Sequence, residues 1–167
     1  MTQQTSAFHN RCLLAYGEAL AKENLPVEFF DANEDIPYDM VLVGLESESG
    51  ALYRFELGFL PELEEDMENV SLLQVFVPMA ERGEDADVAQ LDLLMSRLNT
   101  QLPQGHFGYL EDNNVVYYRY VLMVPNEIKD ALTMVVQTFW MMAYILEQVG
   151  DRLLALAGAA EESEETP

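Results

Sequence analysis

Positive charge is scarce in this chain. Its 167 residues hold eight Lys and Arg against thirty Asp and Glu, a formal net charge of −22. Neutralising phosphates takes clustered cations, so the balance argues against nucleic acid and against anionic membrane surfaces as partners. Cysteine is nearly absent too. Cys12 stands alone, which excludes an intrachain disulfide and suits a reducing compartment. The first thirty residues show no basic segment followed by an apolar one, so no secretory signal is read and a cytoplasmic location is expected. A bilayer-spanning run is also missing. The best candidate, residues 131–146, is bounded by Lys129, Asp130 and Glu147 at about sixteen residues, short of the roughly 20 needed. It reads as a buried helix.

What is present is apolar residue in quantity, 50% of the chain, enough to build one core at a size typical of one domain. Periodicity divides it. Residues 5–23 read as a helix, with Phe8, Cys12, Ala15, Tyr16, Ala19 and Leu20 as its stripe, Leu13 at the stripe's edge and Leu14 pointing elsewhere. Thr5 or Ser6 is the expected cap, and Gly17 permits close packing. Residues 25–39, broken by acidic residues and Pro37, read as a connector. Three strands are expected over 40–45, 51–60 and 70–77, the last stopped by Pro78. Asp87 followed by Gln90 predicts the start of a second helix, with Val88, Leu91, Leu94, Met95, Leu98 and Leu102 inward and Leu93 opposite. Strands over 106–110 and 115–124 flank an Asp-Asn-rich turn. A third helix, capped by Asn126 and bent at Gly150, runs to about Ala157, and the acidic segment beyond it reads as disordered. The expectation is one α+β domain over 1–157, with order α-β-β-β-α-β-β-α, an antiparallel five-stranded sheet with helices packed on it, and a tail over 158–167.

That order resembles the class I type III secretion chaperone fold and the YbjN family. The local pattern is similar as well. Leu98-Asn99 ends the middle helix, Gly105-His106-Phe107-Gly108 opens a strand, Asp112-Asn113-Asn114 turns it, and Val116-Tyr117-Tyr118-Arg119 follows. The resemblance implies the fold, and it implies a chaperone-like role in which an unfolded client segment wraps around a dimer. It carries over no residue map.

Groups suited to catalysis are few. His9 and Cys12 share one helical face, but only His106 remains to complete a metal site, so His9 reads as a surface residue and Cys12 as a small core residue. Ser6, Ser71 and Ser96 lack a nucleophile-elbow context, and Gly105-x-x-Gly108 lacks the length and Lys of a phosphate loop. The acidic loops over 62–68 and 81–87 lack EF-hand spacing and read as solvated. Arg54 and Arg119 in strands can pair with carboxylates such as Glu56 or receive an acidic group from a partner. No catalytic residue, metal ligand or cofactor is assigned. The third helix is apolar nearly all round, so a single sheet face cannot cover it, and clustered Met and aromatic residues suit interfaces. Leu13, Leu14, Leu93, Trp140 and Met141 are the candidate partner-binding residues. The reading is a non-enzymatic protein-binding module with a protein client or a homodimer partner. The alternative is an acidic regulatory or structural protein that binds a basic partner through charge.

Overall fold

A computed structural model describes residues 3–33, 38–63, 69–83, 86–125 and 131–158. Three helices pack on one six-stranded antiparallel sheet in the order α-β-β-β-β-α-β-β-α. The elements are α1 (Gln3–Ala21), β1 (Val27–Phe30), β2 (Met40–Glu46), β3 (Leu52–Phe59), β4 (Val70–Glu81), α2 (Val88–Asn99), β5 (His106–Leu110), β6 (Val115–Pro125) and α3 (Ala131–Ala157). The sheet order is β1-β2-β3-β4-β6-β5. A sixth strand therefore corrects the expected five. Val27-Glu28-Phe29-Phe30 lies in the segment read as a connector, and pairs along β2 from Val27↔Val43 to Phe30↔Met40. Val27, Phe29 and Phe30 favour strands, but four residues are too short to show a period and the acidic residues that follow read as a connector. Asn24, at φ 63°, makes the left-handed turn that sends the chain from α1 into β1.

One sheet face carries the core. Val41, Val43, Phe55, Leu57, Leu73, Val75, Tyr118 and Leu122 meet Leu13, Leu20, Leu91, Phe139, Met142 and Leu146 in a single buried cluster. The faces alternate with the two-residue period of the strands. α3 touches both α1 and α2, and so lies between them in the helix layer. Its buried side includes Val135, Phe139, Met142, Ile145, Leu146 and Leu153.

Several boundaries shift for local reasons. β4 runs past Pro78 to Glu81, with a register shift between Pro78 and Ala80. β3 pairs with β4 only as far as Phe76, so Pro78 lies where one neighbour is gone and a missing N–H costs little. α1 is already helical at Gln3, ahead of the start expected at Thr5 or Ser6. Asp87 does cap α2, accepting from the Gln90 N–H at 3.1 Å. Gly150 does not break α3, which stays helical through it. The expected cap at Asn126, most of the first acidic loop (64–68), two residues of the second (84–85) and the tail beyond Gly158 lie outside the described residues. Among the described residues, no helix is long and apolar enough to cross a membrane.

Candidate functional site

The buried face of α1 is rotated by about one residue from the expected stripe. It presents His9, Leu13, Tyr16, Gly17 and Leu20 to the sheet, while Phe8, Cys12, Ala15 and Ala19 are half-buried. Gly17 sets the approach: a Cβ there would lie 3.3 Å from Val27 and 3.4 Å from Val41. Two readings change as a result. Leu13 is 1% exposed, so its side chain belongs to the core and offers nothing to a partner. His9 is 5% exposed and not a surface residue. Its ring stacks on Phe59, centroids 4.1 Å apart, and its Nε2 lies 3.2 Å from the Ser71 Oγ. Such a satisfied buried imidazole is structural. Cys12 is half-buried, its thiol pushed up by burial against the opposing effects of Tyr16 and Arg11. His106 stands on β5 at the far edge of the sheet from β1, so the three residues do not converge. Among the described residues, no group of three or more His, Cys, Asp or Glu could hold a metal ion.

The other sequence candidates reach the surface. Leu14, Leu93, Trp140 and Met141 are all exposed, Trp140 least at 37%. Leu132 and Tyr144 continue the exposed apolar row along α3. Residues 131–146 contain no charged side chain, so about 24 Å of helix is neutral on a strongly acidic molecule.

Of the second surface, the sequence offers only the strand residues Arg54 and Arg119 and the expected pairing with Glu56. The three helices cover one face of the sheet, and the opposite face carries a mixed set of side chains. Leu42, Phe76, Tyr117 and Val121 are half-buried there, while Leu52 and Met123 are 80% and 57% exposed. Arg54 pairs with Glu56 at 2.7 Å on this face. At its β1 end a groove of about 600 Å³ is lined by Pro26, Glu28, Leu42, Gly44, Leu52 and Arg54. Gly44 makes room for the entry of β1, since a Cβ would lie 3.0 Å from the Pro26 ring. Along β3, Tyr53, Phe55 and Leu57 alternate with Arg54, Glu56 and Gly58, the mark of a half-buried strand, but which neighbours line the open side depends on strand order.

The two sheet edges differ. On β5, the Phe107 N–H donates to Asn99 Oδ1 at 2.8 Å, and the Asn99 amide donates to the Phe107 carbonyl at 2.9 Å. The side chain of the last residue of α2 thus occupies the place of a neighbouring strand. On β1, the Gly44 N–H donates to the Pro26 carbonyl at 3.0 Å, which fixes the ladder parity. Glu28 and Phe30 then bond toward β2, and the N–H and C=O of Val27 and Phe29 point outward.

Comparison with protein-family models finds no match for the chain, and comparison with curated protein sequences finds none.

Proposed function

We propose that this chain is a non-enzymatic, chaperone-like protein-binding module that takes an extended segment of another polypeptide along the outer edge of β1. The observation that carries this reading is the asymmetry of the edges. Asn99 takes up the outward groups of Phe107 on β5, whereas the outward donors and acceptors of Val27 and Phe29 on β1 meet no partner among the described residues and lie beside an apolar groove. Backbone pairing to an edge supplies affinity, and pockets for alternate side chains supply selectivity. Leu42 and Leu52 offer apolar contact while Glu28 and Glu46 line the same groove. A segment alternating apolar and basic residues fits it. The resemblance to YbjN proteins and secretion chaperones supports the same class, although the observed order has one strand more than the order that suggested it.

We also propose a second copy as the partner of the α3 surface. Two molecules of charge −22 repel through most approaches. The neutral row at Leu132, Trp140, Met141 and Tyr144 lets them meet without opposing charges.

Selection of a random peptide library against the folded protein tests the strand-addition reading. Enriched peptides should alternate apolar with basic residues and protect the Val27 and Phe29 amides from hydrogen exchange. Phe29→Pro removes one outward N–H and spares the β2 ladder. It should weaken binding about tenfold relative to Phe29→Ala, which loses the same side chain. Equal affinity of the two variants, or protection confined to another surface, overturns the reading.

A further inference from the structure

On the open face one row of side chains crosses the sheet through Leu42, Glu56, Phe76, Arg119 and His106, each directly opposite the next. Arg119 stands between an aromatic ring on β4 and an imidazole on β5. Tyr117, two residues along the same face of β6, packs on both: its ring centroid is 5.2 Å from that of Phe76 and 5.9 Å from that of His106. Gly108 is what admits Tyr117, because a Cβ there would overlap the hydroxyl end of its ring. Three rings therefore neighbour Arg119 on the open face.

The Arg119 guanidinium lacks an anion. Arg119 Nε is buried without a hydrogen-bond partner, and no carboxylate among the described residues pairs with Arg119. The contrast lies within the same chain, where Arg54 holds Glu56 and Arg82 lies over the Tyr109 ring at 4.8 Å. Leaving a charged donor unmade is costly, and thirty acidic residues were available to satisfy it. Glu56 sits two strands away, about 10 Å, and is already engaged. Burial, then the Arg119 charge, push the His106 imidazole below its ordinary range, which favours the neutral ring with one N–H to donate.

We propose that Arg119 and His106 form a recognition site for a carboxylate carried on an apolar or aromatic body. The fork of Arg119 matches the two carboxylate oxygens. Phe76 and Tyr117 supply the apolar wall. The overall negative charge does not forbid this, since at physiological ionic strength charges beyond about 8 Å are largely screened. The carboxylate has two sources, a free organic acid or the C-terminal end of a polypeptide. The site does not depend on strand addition at β1, which lies at the opposite edge.

The test is an NMR titration of the full chain reading the His106 ring, assigned with His106→Gln, with buried His9 as internal control. Benzoate stands for a free acid, N-acetylphenylalanine for a chain end, and N-acetylphenylalaninamide for the same body without charge. At least one carboxylate should shift His106 saturably below about 10 mM and move its titration midpoint upward, while the amide does neither. Preference between the two acids identifies the source. Arg119→Gln should abolish the shift, and Arg119→Lys, which keeps the charge and loses the fork, should weaken it several-fold, with melting curves confirming folding. Equal shifts from acid and amide, an undiminished shift in folded Arg119→Gln or Arg119→Lys, or no saturable shift with either acid overturns the proposal.

Discussion

Gly150 sits where α3 crosses β3, and the Tyr53 hydroxyl occupies the volume that a Cβ would fill. The hydroxyl itself is buried without a partner. In an open helix Gly→Ala stabilises by about 1 kcal/mol, but overpacking here costs more, so Gly150→Ala should destabilise by about 1–3 kcal/mol. Tyr53→Phe removes an unsatisfied group and should be near neutral, and it should relieve most of the Gly150→Ala penalty in the double variant. Urea unfolding of the four proteins checks this, and strict additivity refutes it. The same tyrosine sets an alkaline limit. Burial, then Asp151 and Glu147, push Tyr53 up to about 12, and burial likewise raises Tyr16 and Tyr118. Raised phenols favour the neutral form in the fold. Their contribution is intact below about pH 10 and is lost as pH climbs from about 10 toward 12. Urea midpoints should hold between pH 8 and 9.5 and fall above pH 10, less steeply in Tyr53→Phe.

The elements differ in how far their own residues define them. α2 is bounded by a cap visible in its sequence, Asp87 with Gln90, and its inward side follows the expected stripe at Leu91 and Met95. β1 carries strand formers at Val27, Phe29 and Phe30 but is too short to show a period, and its bounds are set by the ladder with β2. α1 shows the intermediate case: the helix is legible, but a rotation of about 100° moves His9 and Leu13 into the core. Asn99 acts between elements, ending α2 and capping β5. Asn99→Ala should cost about 1–2 kcal/mol and expose the Phe107 backbone. Hydrogen exchange should show faster exchange at Phe107 with the β6 amides little changed. Unaltered exchange at Phe107 would mean that solvent or another group already satisfies the edge.

For the whole molecule, charge and apolar surface pull in opposite directions. A net charge of −22 repels a second copy, and the neutral α3 row is the surface on which the proposed pairing would overcome that repulsion. Sedimentation at micromolar concentration should give about twice the chain mass, more completely as salt rises from 0.02 to about 0.15 M and repulsion is screened. Trp140→Glu should return the chain to monomer, whereas Leu93→Glu, on α2, should not. A monomer under all these conditions removes the second copy from the α3 surface. Salt also separates the client reading from the alternative of a basic partner held by charge. Strand addition with apolar contact persists at about 0.5 M salt, and a purely electrostatic complex dissociates.

Sequence by itself determined the α+β class, the three helices, the two hairpins turning near Glu48 and Asn113, and the exposure of Leu14, Leu93, Trp140 and Met141. These follow from spacing along one element, where a period of two or 3.6 and a turn residue carry the information. Tertiary structure decided the rest. Strand order placed Phe76 beside Arg119 and Arg119 beside His106, residues up to 43 positions apart in the chain. It also left the outer edge of β1 without a neighbouring strand among the described residues, while Asn99 took up the Phe107 backbone on β5. Such neighbours are set by long-range pairing, which depends on how every element packs at once and leaves no local mark on the residues that meet.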